Sequence, residues 1–226
     1  MSLAAKPKLV MIDLDGTLVD SVPDLAYCVD EMMKALGQKP WGELVVRGWV
    51  GNGVDRLVKR ALTNTLWEDP SEEDYAKALS IFMALYAENT SGRSCLFDGV
   101  IDGLEYLKAN NYQIACVTNK AEQFTLPILK DMGILDFFEL VVSGDTTAKK
   151  KPDPLPLTYA ADKFGIPYGD CLMVGDSMHD VKAARSAGFQ VVAVPYGYNH
   201  GIDIREAEPD AVLASIAELK DLLEAI

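Results

Sequence analysis

Five short apolar runs, each ending in small or polar residues, frame this chain: Leu9 to Asp13, Ile114 to Asn119, Leu140 to Asp145, Leu172 to Asp176 and Val191 to Tyr196. They are apolar at consecutive rather than alternate positions, which fits strands covered on both faces of a parallel sheet. Between the last four lie segments with helical periodicity, about 120–132, 154–164 and 178–187. Each is followed by a glycine placed to cap it: Gly133, Gly165 and Gly188. Strand and helix alternate, which predicts an α/β fold with a doubly wound parallel-sheet core.

From Val22 to about Asn89 the alternation stops. Leu25, Val29, Met32, Met33 and Leu36 recur at helical spacing between Ser21-Val22-Pro23-Asp24 and Gly37, a helix with both ends marked. A second helix is predicted over Val54 to Leu62. A third starts at Ser71, where Asp74 completes a capping box, and runs through Leu79, Phe82, Met83 and Tyr86. Residues 20–90 therefore read as an inserted all-helical cap domain, and 1–19 with 91–226 as the core. The stretch Ser94 to Gly99 is expected to return the chain by pairing with Gly16 to Ser21 as a two-stranded hinge.

Charge narrows the partners. With 34 acidic residues against 21 basic ones, the formal net charge of −13 disfavours nonspecific attraction to nucleic acid or anionic membranes. An anionic substrate would also be repelled at long range, so a site for one needs local cations. Cys28, Cys95, Cys116 and Cys171 are scattered and read as reduced thiols. No apolar stretch approaches ~20 residues and the N-terminus lacks a secretory layout, so the expected setting is cytoplasmic. The expected state is a monomer or weak homodimer, and Met1-Ser2-Leu3 reads as a vector-derived start.

Candidate chemistry collects at the strand ends, where open α/β sheets bind ligands. The first run delivers Asp13-Leu14-Asp15-Gly16-Thr17, which puts Asp13 and Asp15 on one side with Leu14 turned away. Gly16 permits a tight departure, and the hydroxyl and N–H of Thr17 suit an oxyanion. The second run delivers Thr118 and Asn119, and the third is followed by Lys149-Lys150-Lys151-Pro152. The fourth delivers Gly175-Asp176-Ser177 and then Asp180. Singly, these have plainer explanations: Thr118-Asn119 can cap a helix, Ser177 and Asp180 have capping-box spacing, and the lysines can be a solvated cluster. Jointly, four strand ends converge on an anion site with a metal site beside it.

The run Asp13 to Ser21, with Val117-Thr118-Asn119, Lys151-Pro152 and Gly175-Asp176-Ser177-Met178-His179-Asp180, resembles the four motifs of the haloacid dehalogenase superfamily. The resemblance implies that Asp13 is a nucleophile forming an aspartyl-phosphate and Asp15 the general acid/base. It implies Mg²⁺ held by Asp13, the backbone carbonyl of Asp15 and Asp176. Thr17, Thr118 and Asn119 would then bind phosphoryl oxygens, Lys151 would neutralise charge, and Ser177 and Asp180 would support the site. Asp15, held near other acids, would protonate the leaving group. The implied activity is Mg²⁺-dependent hydrolysis of a small phosphorylated metabolite. A sugar phosphomutase or a phosphatase for a different small ester keeps the same covalent aspartate. A non-enzymatic phosphate-responsive module fits less well, since it needs neither Asp15 nor a cap.

The cap stretch Trp49 to Val58 and the later Tyr196-Gly197-Tyr198-Asn199 extend this resemblance towards superfamily phosphatases of small carboxylated substrates. The Gly51-Asn52-Gly53 turn opens a helix, so its N–H groups and positive dipole end are the expected receptor for a substrate carboxylate once the cap closes. A plain connecting loop is the alternative. The two histidines, His179 and His200, have no expected chemical role, and His179 reads as a helix-surface residue.

Overall fold

In chain order the computed structural model, which describes residues 3–226, begins with β1 (Leu9–Ile12) and β2 (Val19–Asp20). Met1 and Ser2, the start of the vector-like tripeptide, lie outside the described residues. Four helices follow: α1 (Val22–Ala35), α2 (Glu43–Arg47), α3 (Val54–Thr63) and α4 (Glu72–Glu88). The chain returns through β3 (Cys95–Leu96) to α5 (Val100–Ala109), β4 (Gln113–Val117), α6 (Glu122–Asp131), β5 (Leu140–Val142) and α7 (Leu155–Phe164). It ends with β6 (Cys171–Gly175), α8 (Met178–Ala187), β7 (Gln190–Ala193), β8 (Ala211–Val212) and α9 (Leu219–Glu224).

Six strands form a parallel sheet in the order β5-β4-β1-β6-β7-β8. The first strand in sequence thus lies inside, with Ile12 level with Cys116 on β4 and Val174 on β6. That register makes the residues just past β1, β4 and β6 emerge side by side. Side chains alternate between the faces. Val10, Ile12, Cys116 and Val174 pack with Leu104 and Leu107 of α5 and Ile128 of α6. Leu9, Met11, Val117 and Met173 pack with Leu157 of α7 and Val181 and Ala184 of α8. Both faces are covered, which is why these runs are apolar without interruption.

Helices α1, α3 and α4 enclose a third apolar cluster with Met32, Met33, Val58, Phe82 and Tyr86 at its centre. The fold is the doubly wound core with an inserted helical cap. Two core residues, Phe124 and Tyr198, extend into the cap's cluster. The two linkers pair antiparallel as anticipated, Val19 opposite Leu96 and Asp20 opposite Cys95. Asp24, fully buried on α1, accepts hydrogen bonds from the N–H groups of Arg93 and Ser94 and ties the returning linker to the outgoing one. The described cysteines are all free, and among the described residues no helix is long and apolar enough to cross a membrane.

The structure adds α2, α5, α9 and β8 to the elements anticipated from the pattern. Val100, Leu104 and Leu107 do carry helical spacing on α5. Strand β8 is two residues long, too short for any periodicity, and is fixed by its pairing with β7. Helix α6 starts at Glu122 with Ala121 as its N-cap, so Thr118 and Asn119 do not cap it.

Candidate active site

Asp13 is the first residue beyond β1, and its Oδ1 accepts the Leu14 N–H at 2.7 Å. Lys151, almost fully buried, places its Nζ 2.9 Å from Asp13 Oδ1 and 2.7 Å from Asp180 Oδ1, and donates to the Val117 carbonyl at 2.7 Å. All three ammonium protons have partners, so the charge is fixed in place. The Asn119 side chain fastens the backbone that carries this lysine. Its Oδ1 accepts the Lys151 N–H and its Nδ2 donates to the Lys151 carbonyl, both at 2.9 Å.

Asp176 accepts from the Thr17 hydroxyl at 2.8 Å and from the Tyr198 N–H. Asp180 both caps α8 through Ser177 and holds Lys151, one oxygen for each task. Two glycines permit this crowding. A Cβ on Gly16 or on Gly197 would lie 2.3 Å from Asp176 Oδ2, and Gly16 also requires a φ of +86°.

Asp13, Asp176 and Asp180 offer carboxylate oxygens all within 4.8 Å of one another. Burial pushes the Asp13 carboxyl up to about 7, against the pull of Lys151. Burial also carries Asp176 well above the usual carboxylate range, and Asp180 and Asp13 add to the effect. Desolvated acids packed together, with one lysine among them, form an all-oxygen donor set that fits a hard divalent cation. The side chain of Asp15 lies elsewhere.

Asp15 Oδ1 accepts from the Ser21 hydroxyl at 2.6 Å, and both its oxygens lie 3.0 Å from Lys120 Nζ. Its hydrogen-bond partners are a hydroxyl and a cation, while Asp13 lines the same cavity. Lys120 is buried and lies 5.2 Å from the centre of the Tyr86 ring on α4. Burial alone would lower its ammonium, but Asp15 and Tyr86 hold it above the ordinary lysine value. Lys120 is not among the residues predicted for the site, although a lysine directly after a strand-end Thr-Asn pair is a local signal for it.

A small cavity of about 40 Å³ lies between core and cap. The core lines it with Asp13, Asp15, Thr118, Asn119 and Lys120, and the cap faces them with Val50, Gly51, Gly53 and Leu57. Gly53 is also the N-cap of α3, which has no side-chain capping bond. Three expected ligand contacts are committed elsewhere in this structure. The Thr17 hydroxyl is on Asp176, the Asn119 amide on Lys151, and the Asn52 side chain on Arg60 and His179.

A profile of haloacid dehalogenase-like hydrolases matches residues 7–188, which contain every one of these side chains except Tyr198 and Gly197. The chain belongs to this hydrolase family. It is 57% identical over 218 residues to a phosphoglycolate phosphatase of Nitrosococcus oceani, covering 96% of this chain and 97% of that one. It is 48% identical over 211 residues to a phosphoglycolate phosphatase of Thiobacillus denitrificans, with 93% of each covered. Among solved structures, a predicted phosphoglycolate phosphatase from Haemophilus somnus 129pt superposes with a TM-score of 0.90 at 36% identity, covering 97% of this chain and 99% of that one. A haloacid dehalogenase-like hydrolase therefore carries its acid cluster and its cap in the relation described above.

Proposed function

We propose that this hydrolase converts 2-phosphoglycolate to glycolate and phosphate through an aspartyl-phosphate on Asp13, with Mg²⁺ as cofactor. The observation that carries the reading is the two-poled cavity. One wall holds a carboxylate nucleophile candidate with Lys151 behind it, and the other is an uncapped helix start with a glycine turn. A molecule with a phosphate at one end and a carboxylate at the other matches both walls. The relatives named for this activity add support.

In this reading an Asp13 oxygen attacks phosphorus in line while the bond to the glycolate oxygen breaks, and Asp15 delivers a proton to that departing oxygen. Asp15 then takes a proton from the water that attacks the phosphorus, and Asp13 is released. Lys151 favours the ionised form of Asp13 against burial and balances charge on the phosphoryl oxygens. Asp13 and Asp176, with Asp180 beside them, would hold the cation, which supplies Lewis-acid charge stabilisation when bound. Thr118 lines the phosphoryl end, and Asn119 acts by holding Lys151. Residues 20–90 form the cover that excludes water, and residues 1–19 with 91–226 form the base.

A phosphate-release assay over a panel of phosphorylated metabolites, with and without Mg²⁺, tests this. 2-Phosphoglycolate is expected to give the highest kcat/KM and chelator to abolish it. A preference for an ester without a carboxylate, or phosphoryl transfer to a sugar phosphate in place of release, would overturn the assignment.

A further inference from the structure

The chain has two histidines, and both grip the same piece of the cap. His179, at the start of α8, and His200, in the loop after β7, belong to the core. His200 Nδ1 lies 2.9 Å from the Gly48 carbonyl, and its ring also faces Gly51. His179 Nε2 lies 2.7 Å from Asn52 Nδ2. Between them they hold residues 48–52, the segment that delivers Gly51 and Gly53 to the cavity wall.

The orientation of Asn52 is settled from the cap side. Arg60 on α3 is fully buried and forms no ion pair among the described residues. Its guanidinium donates to the carbonyls of Leu66 and Trp49 and, at 2.7 Å, to Asn52 Oδ1. A guanidinium only donates, so the Asn52 oxygen must face Arg60 and its NH₂ must face His179. His179 Nε2 is therefore the acceptor. A buried cation with only neutral partners is a costly arrangement, and its product here is a rigid amide aimed across the domain boundary.

We infer that Arg60, Asn52 and His179, with His200 beside them, form a clasp that sets the closed position of the Gly51–Gly53 turn against Asp13 and Asp15. His179 is thus a positioning residue for turnover and touches no reacting atom. Tyr86, packed on Lys120 and Phe124, anchors α4, while the turn itself also passes the backbone of Tyr198 and Asn119 without a side-chain hydrogen bond to either. The kinetic part of the inference rests on the phosphatase reading; the structural part does not.

The test is a double-mutant cycle with His179→Ala, Asn52→Ala and the double variant, read first by amide hydrogen exchange over residues 48–57. His179→Ala is expected to speed exchange there by about five- to tenfold, the loss of one hydrogen bond holding a local closure, and Asn52→Ala by at least as much, since it also removes the Arg60 contact. The double variant is expected to match the worse single one, because both remove the same contact. Exchange in β1 and β6 should stay unchanged. Multiplying effects, or no acceleration, would overturn the clasp.

The second reading is steady-state kinetics on two esters, p-nitrophenyl phosphate and the best small aliphatic ester in the panel. His179→Ala should lower kcat/KM for the aliphatic ester by about tenfold, mainly through KM, since one oriented contact is lost. It should leave p-nitrophenyl phosphate within about twofold, because that leaving group departs without protonation and depends least on closure. His179→Gln, whose amide oxygen can accept from Asn52, should recover most of the loss. Equal losses on both esters, or failure of the glutamine variant to do better than alanine, would reduce His179 to a packing residue. A parent enzyme that hydrolyses neither ester would sink the proposed function, while the exchange cycle would still decide the clasp.

Discussion

The two walls of the cavity are built on opposite plans. On the core side, Asp13 lines the cavity with Lys151, Asp176 and Asp180 packed behind it, side chains from three different segments that are buried and cross-bonded. On the cap side, Val50, Gly51 and Gly53 present mostly backbone, supported by Arg60 and Asn52 and held to the core by two histidines. A fixed constellation suits groups that must meet the same phosphorus in the same geometry on every turnover. A backbone turn on a separate layer can close and open, and it can select a ligand without taking part in the chemistry.

If this contrast holds, substitutions in the core wall affect all substrates and substitutions in the cap wall discriminate between them. The largest effect is expected from Asp13→Asn, which should reduce turnover of every ester by at least about three orders of magnitude, because an amide cannot form the acyl-phosphate. Circular dichroism should show an intact fold. Retention of more than a few per cent of turnover would remove Asp13 from the nucleophile role.

Comparing the two buried lysines sharpens the contrast. Lys151→Met strands Asp13 and Asp180 together, so it should cost about 3–5 kcal/mol of stability, the range for breaking a buried pair, and activity on all esters. Lys120→Met leaves Asp15 with Ser21 and partial access to solvent, so its stability cost should be about 1–3 kcal/mol. Urea unfolding of both variants checks the order, and a larger loss for Lys120 would contradict it.

Next comes Asp15→Asn, expected to slow aliphatic esters by about 10²–10⁴-fold while p-nitrophenyl phosphate loses far less. Parallel losses on both substrates would take the acid role from Asp15.

The smallest effect concerns the metal and pH. The Asp13 carboxyl, raised from 3.8 to about 7, binds its proton more tightly in the folded than in the unfolded chain. Its contribution to metal-free stability is therefore fully present below about pH 4 and is lost as pH rises towards 7. A divalent cation that binds the deprotonated cluster reverses this penalty. The increase in melting temperature on adding Mg²⁺ should thus be larger at pH 8 than at pH 5.5, reaching about 2.7 kcal/mol of stabilisation at a hundredfold excess over Kd. Equal gains at both pH values would place the cation away from Asp13.

Much of the core wall was legible in the chain because its signals are local. Asp13-Leu14-Asp15-Gly16-Thr17 and Gly175-Asp176-Ser177 each end an apolar run and Lys151 follows one, and the parallel register of β1 with β4 and β6, and of β4 with β5, then brings them together. The cap's helices were legible for the same reason, from spacing and end signals around α1, α3 and α4. Partners were not. That Asn119 fastens Lys151, that Lys120 pairs with Asp15, and that His179 and His200 hold one cap turn are contacts between residues up to 152 positions apart. Periodicity reports which face of an element is buried, so sequence determined the strands, the cap and the acids at the strand ends. Which polar atom meets which depends on how layers pack and where a carbonyl or guanidinium is left to be satisfied, and only the tertiary structure decided that.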